Sequence, residues 1–268
     1  MREVSGPWPV LVKTDILVIG GGIAGVAAAL AAARAGRRSA LVERRTYLGG
    51  DLTAGLRPWL SPGQRDEVSA VLGIEATFAA QERRGVVPLI PFRFKTALED
   101  VLLRTGVDLL YCMRPVSLAR EDGKLVVRLA GKAGNGVAVA DAIVDATEQG
   151  EAVRCLGGVT PRFADGAAVT CQRGLEWTRV LEDALFSSQD EQPELLAYPG
   201  HFEEGHVIVQ HPLRFDARHS GLWRSAAEVE TRLASLEFAR RLRTGHPAFS
   251  DANLVGSSHE LLTPPLYR

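Results

Sequence analysis

The feature that most constrains this fold lies near the start of the chain, where a short apolar run leads into a glycine-rich segment: Asp15-Ile-Leu-Val-Ile-Gly20-Gly-Gly22-Ile23-Ala24-Gly25. The apolar run is typical of a parallel strand that is buried on both faces. Gly20, Gly22 and Gly25 match the G-x-G-x-x-G pattern. In this pattern the glycines allow a tight turn, a close approach of the backbone to a pyrophosphate, and close packing of the helix that follows. The segment therefore predicts a strand, a turn and a helix that bind a dinucleotide.

The next elements support this interpretation. The helix is predicted over about Val26 to Gly36, and its N-terminus offers N–H groups and a partial positive charge to phosphates. A second strand is predicted from Ser39 to Val42, and it ends at Glu43. A carboxylate at this position, about 20 residues past the turn, accepts hydrogen bonds from the adenosine ribose. The uncharged run from Ile16 to Ala33 also raises the alternative of a transmembrane helix, but consecutive glycines near its start argue against a stable helix there.

The residues after the acid help to choose between dinucleotides. Glu43 is followed by Arg44 and then by the pair Gly49-Gly50, with Thr53 and Gly55 beyond. Such a segment can run beside a flavin with little side-chain bulk, although a glycine-rich surface loop is the plainer alternative. A site for NADP is disfavoured because Glu43 would repel its 2′-phosphate, and Arg44 or a neighbouring arginine would offset that repulsion only partly.

Residues 15–55 resemble the FAD-dependent oxidoreductases with a glutathione-reductase-type flavin fold, within the group that reads Leu-Gly-Gly-x-x-Thr-x-Gly after the ribose acid. The resemblance implies an α/β fold: a Rossmann-like parallel sheet with a β-meander, and a second, mostly antiparallel α+β substrate domain. It implies FAD as the cofactor and no metal. The residues expected to contact FAD are Gly20, Gly22, Ile23, Ala24, Gly25, Glu43, Arg44, Gly49, Gly50, Thr53, Val116, Ala146 and Thr147.

Two of these expectations come from later in the chain. Val116 lies where a backbone group of the family often contacts the adenine. Asp145-Ala146-Thr147 resembles the family's Asp-Ala-Thr-Gly segment, which brings the chain back under the cofactor. Glu148 replaces the usual glycine, and Gln149-Gly150 would then supply the turn one step later.

The rest of the chain is expected to divide into an FAD-binding domain over residues 1–155, with a helical insertion at about 56–90, and a substrate domain over 156–268. A helix opened by the capping-box pattern Ser225-Ala-Ala-Glu228 is predicted to end near Gly245. The other predicted elements are a loop over Trp59 to Gln64, helices over Glu67 to Arg84 and Phe94 to Thr105, strands over Val107 to Met113, Ala142 to Ala146, Ala167 to Gln172 and His206 to Gln210, a meander over Leu125 to Val139, and a buried helix face of Val229, Leu233, Leu236 and Leu242.

No catalytic constellation stands out in the sequence. Four histidines lie close together between 201 and 219, and surface or sheet positions are favoured over metal or substrate binding. Arg57 could approach an anionic substrate, but a plain surface arginine is favoured. The three cysteines form no C-x-x-C, which disfavours disulfide exchange. A net charge of -1 argues against nucleic-acid binding, and no secretory signal is recognised, so a cytoplasmic protein is expected.

Family members normally close with a further strand, a glycine-containing turn and a helix that contacts the flavin ring, and no such turn is found here. We therefore expect an FAD-binding subunit of an oxidoreductase that transfers a hydride from a small organic substrate to flavin N5. A second protein subunit would supply the missing element in a hetero-oligomer. The alternatives are a non-catalytic structural subunit and a non-redox biosynthetic enzyme on the same fold.

Overall fold

The computed structural model describes residues 8–74, 78, 82–132, 134–157, 168–187, 195–216 and 222–263. The chain forms two compact units. The first unit consists of Met1–Gly50, Glu67–Glu75 and Phe92–Pro161, and the second of Asp51–Asp66, Ala76–Pro91 and Arg162–Arg268. The division at residue 155 that was expected from the sequence stays a prediction.

The helices and strands follow one another in this order: β1 (Val10–Ile19), α1 (Ile23–Arg34), β2 (Ser39–Glu43), α2 (Gly50–Thr53), β3 (Trp59–Leu60), α3 (Pro62–Leu72), β4 (Val87–Pro88), α4 (Pro91–Arg104), β5 (Asp108–Tyr111), β6 (Met113–Glu121), β7 (Lys124–Gly131), β8 (Gly134–Asp145), α5 (Glu151–Cys155), β9 (Ala168–Thr178), α6 (Glu182–Ser187), β10 (Leu196–Pro199), β11 (Val207–Asp216), α7 (Leu222–Gly245), a 3-10 helix (Pro247–Phe249) and β12 (Asn253–Ser257).

The first unit is built on a six-stranded sheet in the order β5-β2-β1-β8-β7-β6. Strand β1 pairs in parallel with β2 and β8, and β2 pairs in parallel with β5. The meander β6-β7-β8 is antiparallel, and β8 belongs to both parts because its far end returns beside β1. Every residue of β2 is buried, as a strand covered on both faces requires. The predicted Rossmann-like sheet with a β-meander is confirmed.

The second unit contains an antiparallel sheet in the order β10-β11-β9-β12. Its core gathers apolar side chains from the sheet, from α7 and from the 3-10 helix, among them Trp177 and Phe249, whose rings meet edge to face at 5.1 Å. The second, mostly antiparallel sheet expected from the sequence is therefore present. Leu196, the first residue of β10, pairs with Gln210, the last residue of the predicted strand in β11.

The segment between the two parts of the glycine-rich region differs from the prediction. Instead of a loop at Trp59, β3 pairs antiparallel with β4. Helix α3 begins at Pro62 because Ser61 and Gln64 form a capping box: the Ser61 N–H donates to Gln64 Oε1 (3.1 Å) and the Gln64 N–H donates to Ser61 Oγ (3.3 Å).

The same helix also ends earlier than predicted. It stops at Leu72, and Gly73 follows in the left-handed region with φ +72°. The predicted extension to Arg84 is wrong for the described residues beyond it, since Arg83 forms a β-bridge with Val86. Residues 75–77 and 79–81 lie outside the described part of the chain.

Helix α7 is the main correction in the second unit. It begins at Leu222, so Ser225 lies inside the helix and does not cap it. Of the side chains predicted to be buried, only Leu242 is. Val229, Leu233 and Leu236 are 57%, 66% and 50% exposed.

The physical reason for this orientation is a charged side chain on the sheet. Arg173 of β9 is fully buried, and its guanidinium donates to Thr231 Oγ1 (2.8 Å) and to Glu228 Oε2 (2.6 Å) on α7. A buried guanidinium without acceptors would cost several kcal/mol. The helix therefore turns its small and polar stripe, and not its leucines, toward the sheet.

None of the helices in the described residues is both long and apolar enough to cross a membrane. The uncharged run from Ile16 to Ala33 forms the end of β1, the glycine turn and most of the twelve-residue helix α1. The transmembrane alternative for this segment is therefore wrong.

Candidate cofactor site

The glycine turn has the geometry that its sequence requires. Gly20 adopts φ +105°, which L side chains rarely adopt, and its N–H donates to the carbonyl of Val42 (2.8 Å). A Cβ at Gly20 would lie 2.7 Å from the carbonyl oxygen of Ala146, and a Cβ at Gly25 would overlap the carbonyl of Gly20. Larger residues at either position would push α1 away from β1.

Helix α1 begins immediately after this turn. Gly22 is its N-cap, with φ -72° and ψ 179°, so no side chain caps the helix, and its first turn carries no acidic residue. Ile23 is half-buried and Ala24 is exposed. A helix N-terminus with no side-chain cap and no acid suits an anionic ligand, because its N–H groups and dipole favour negative charge.

Glu43 lies against the turn. Its side chain is 4% exposed, its Oε2 accepts from the N–H of Gly21 (2.6 Å), and its Oε1 accepts from the N–H of Arg45 (2.8 Å). The guanidinium of Arg45 is 3.7 Å from the same carboxylate, whereas Arg44 is exposed. A carboxylate has about four lone-pair positions, so the two backbone bonds leave acceptor capacity for ribose hydroxyls.

The Gly49-Gly50 pair is tied to the same turn. The N–H of Gly49 donates to the carbonyl of Gly21 (2.8 Å). Gly49 has φ +71°, and a Cβ there would lie 2.7 Å from the ring of Phe94. Thr53 is buried at the end of α2. The pair thus brings bare backbone beside the G-x-G turn.

The segment after β8 closes over the turn from the other side. The N–H of Ala146 donates to the carbonyl of Ile19 (2.8 Å). Thr147 Oγ1 accepts from the N–H of Glu151 (2.8 Å), while both oxygens of Asp145 accept backbone or hydroxyl donors, so this segment caps α5. Gly150 adopts φ +61°, and the turn expected one step after Glu148 is therefore present.

Val116 is the predicted contact that the structure does not bring to the turn through a hydrogen bond. It lies at a β-bulge, skipped between Pro115 and Ser117 in the pairing of β6 with β7, and its side chain is 45% exposed. The start of β6 is anchored near the acid, because the N–H of Cys112 donates to the carbonyl of Arg45 (3.2 Å). A bulge leaves an unpaired backbone, which a contact with adenine requires.

These features together fit an adenosine diphosphate. The turn allows close approach, the helix N-terminus lacks a capping group, and the acid retains acceptor capacity at the end of β2. The residues that meet at this turn through direct contacts are Gly20, Gly21, Gly25, Glu43, Gly49 and Ala146.

The clustered histidines are packed into the second unit. His206 is 1% exposed, and its Nε2 lies 2.9 Å from Glu176 Oε1, a hydrogen bond that lowers the pKa of the glutamate. His211 stacks on Phe238, and burial lowers its pKa to about 4. His219 lies outside the described residues. In the part of the chain that the structure describes, no three His, Cys, Asp or Glu side chains are grouped so as to hold a metal.

The sequence gave no signal for one buried polar residue in this unit. Gln210 is 2% exposed, and its Nε2 donates to the carbonyl of Leu56 (2.5 Å), a residue held at φ +50°. Its Oε1 has no hydrogen-bond partner among the described residues. Arg57, next to this turn, is exposed, as the favoured interpretation of a surface arginine predicted.

Comparison with solved structures shows the same fold in proteins of low sequence identity. A geranylgeranyl bacteriochlorophyll reductase-like protein from Thermoplasma acidophilum is 18% identical with a TM-score of 0.63, over 94% of this chain and 66% of its own. The p-nitrophenol 4-monooxygenase from Pseudomonas putida is 14% identical with a TM-score of 0.60, over 94% of this chain and 68% of its own. An L-amino acid deaminase from Proteus vulgaris is 11% identical with a TM-score of 0.62, over 99% of this chain and 86% of its own.

The chain thus spans about two thirds of the length of the first two structures. A search of curated proteins finds no match. The family model described as FAD dependent oxidoreductase matches residues 15–246 of the 268, and the chain therefore belongs to the FAD-dependent oxidoreductase family, whose cofactor is FAD.

Proposed function

We propose that this chain is the FAD-binding subunit of a flavin-dependent oxidoreductase. The observation that carries the proposal is the joined arrangement of the glycine turn and the acid, in which the N–H of Gly21 donates to Glu43 Oε2 at 2.6 Å. This contact holds a carboxylate beside the uncapped N-terminus of α1, so that recognition of ribose and of pyrophosphate occurs at one place.

Each predicted contact then has a stated role. Gly20 and Gly25 keep the turn tight, Gly22 with Ile23 and Ala24 presents backbone N–H groups to the pyrophosphate, and Glu43 accepts from the ribose hydroxyls. The remaining proposed contacts, which supply backbone or short polar groups, are Arg44, Gly49, Gly50, Thr53, Val116, Ala146 and Thr147.

When bound, FAD supplies the redox chemistry by accepting a hydride at N5 from a small organic substrate. The chain's own part is to hold the cofactor, and its bare backbone at Gly49-Gly50 admits a bulky ring system close to the main chain. We also propose a second protein subunit that provides further flavin contacts, in a cytoplasmic hetero-oligomer. The share of the two relatives' length that this chain lacks supports that part of the proposal.

The first experiment measures FAD binding directly. Purified chain is titrated with FAD by calorimetry, alongside Gly22→Val and the control Gly63→Val. A valine at 22 would meet the pyrophosphate, and Gly63 has open space around it and no positive φ. We expect the first variant to lose FAD while remaining folded and the control to bind normally. A folded Gly22→Val protein with unchanged FAD affinity would refute the site.

The second experiment separates the redox proposal from its alternatives. The FAD-loaded chain, alone and with candidate partner subunits, is mixed anaerobically with small organic alcohols, amines and acids while the visible flavin absorbance is followed. Bleaching by a substrate supports hydride transfer. Stable FAD binding without bleaching in any complex favours the structural subunit, and product formation with unchanged flavin absorbance favours the non-redox enzyme.

A further inference from the structure

Helix α7 carries two stripes of side chains on opposite sides. The inner stripe is small, polar or buried and faces the sheet: Ala227, Thr231, Ser235, Ala239 and Leu242. The outer stripe, called the outer seam here, is apolar and exposed: Ala226, Val229, Leu233 and Leu236. At 3.6 residues per turn the two stripes are centred about 180° apart. The unit's own core therefore does not use the outer seam.

The spacing within the outer seam is that of a helix-pairing surface. Its members recur at intervals of three, four and three residues, which is the a/d pattern of a heptad. Single exposed apolar residues need no explanation, but a contiguous apolar stripe marks an interaction site. The helix is already held against the sheet, so pairing through this seam would not have to supply the cost of forming it.

The charges beside the seam differ on its two flanks. Glu230 and Glu237 lie on one flank, at e positions of the heptad, and Arg232 lies on the other, at a g position. Both Glu237 and Arg232 are exposed, and the contact between Glu237 and Arg240 within the helix is long, at 3.5 Å. The seam ends beyond Leu236, because its next two positions are arginines.

We propose that the outer seam pairs with the outer seam of a second copy of this chain, with the two α7 helices parallel about a twofold axis. In a parallel pair, the g position of one helix meets the e position of the other, which brings Arg232 to Glu237 of the second copy, twice by symmetry. An antiparallel pair would place the acidic flank against itself. The four apolar positions form a small interface, so the dimer should depend on concentration.

The central test is sedimentation velocity of the purified full chain over a range of concentrations. Wild type should shift from monomer to dimer, and Leu233→Glu should weaken dimerisation by about tenfold or more, since it places a charge in the seam. Phe92→Glu, an equally exposed apolar position on α4 of the first unit, is the control and should leave the dimer unchanged. Unchanged thermal unfolding of both variants would show that the fold is intact.

Charge reversal tests the partner and its direction. Arg232→Glu and Glu237→Arg should each weaken the dimer, and the double variant should restore it. A single Leu236→Cys variant should form a disulfide with its own copy under oxidation, relative to wild type with its three native cysteines. Cross-linking only between Leu233→Cys and Leu236→Cys chains would overturn the parallel arrangement. A chain that stays monomeric, a dimer that tolerates Leu233→Glu, or a seam that binds only a different protein would overturn the proposal.

Discussion

Glu43 in the first unit and Glu228 in the second are both carboxylates that leave water on folding, yet they do different work. Glu43 accepts only backbone N–H groups at hydrogen-bond distance, from Gly21 and Arg45. Glu228 accepts from the guanidinium of Arg173 (2.6 Å), from that of Arg232 (3.2 Å), and from the N–H of Leu261 (3.0 Å).

The comparison teaches how a ligand-facing acid differs from a structural one. A carboxylate saturated by two guanidiniums has little capacity left for a ligand, and its value lies in holding α7 to β9 and to the segment around Leu261. A carboxylate held by two backbone groups is fixed in place and can still accept. Residue type is the same in both cases, and the donors around it decide the role.

The largest expected effect comes from breaking the structural carboxylate's ion pair. Arg173→Met should lower the free energy of unfolding by about 3–5 kcal/mol, because Glu228 would keep its charge in a partly buried place without its main partner. Urea unfolding of the purified chain measures this. The double variant Arg173→Met with Glu228→Gln should recover part of the loss. A loss below about 1 kcal/mol in the single variant would mean that the pair is not a structural anchor.

A matched pair of leucines tests the orientation of the helix that carries Glu228. Leu242→Ala should cost about 2–5 kcal/mol of unfolding free energy, since its side chain is in the core. Leu233→Ala should change it by less than about 0.5 kcal/mol, since that side chain is 66% exposed. Both are measured by urea unfolding at a concentration at which the chain is monomeric. Equal losses would restore the helix face that the sequence pattern predicted.

These two residues also show where prediction from sequence stops. The glycine turn was predictable because its requirements are local: φ +105° at Gly20 and no room for a Cβ at Gly25 follow from the backbone itself. The buried face of α7 was not, because the apolar stripe and the buried stripe are opposite sides of one helix. The choice between them depends on Arg173, some 50 residues earlier on a separate strand, which periodicity cannot register.

Helix α3 is an intermediate case. Its capping box, Ser61-Pro-Gly-Gln64, was visible in the sequence as a start signal but was interpreted as a loop because proline and glycine dominate it. Proline is favoured in the first turn of a helix, so the same residues predict a helix when the cap is considered first. Local signals of this kind could have been used, whereas the partner of Arg173 could not.

The next effect sharpens the role of the ligand-facing acid. Glu43→Gln should weaken FAD binding by about 1.5–3 kcal/mol, or about 10-fold to 150-fold, because its amide removes the charge and one acceptor oxygen. Calorimetric titration with FAD measures this, and FMN, which lacks the adenosine, should bind as before. The control Glu228→Gln should leave FAD affinity unchanged while lowering stability. Unchanged FAD affinity in Glu43→Gln would remove the proposed ribose role.

The smallest effect concerns pH and the same inner face of α7. His211 donates to or accepts from Ser235 Oγ at 3.0 Å and stacks on Phe238, and burial, with a smaller contribution from Arg241, lowers its pKa from 6.5 to about 4. The unfolded chain therefore binds a proton at higher pH than the folded chain does, so stability should fall as the pH drops from about 6.5 toward about 4. His201, whose pKa is also lowered to about 4 by burial, contributes in the same direction. His211→Gln should make the difference in urea midpoint between about pH 7 and about pH 5 smaller but not zero, because His201 remains. An unchanged difference would show that His211 is protonated in the folded chain as easily as in water, and that the inner face of α7 is open enough to hydrate a charge.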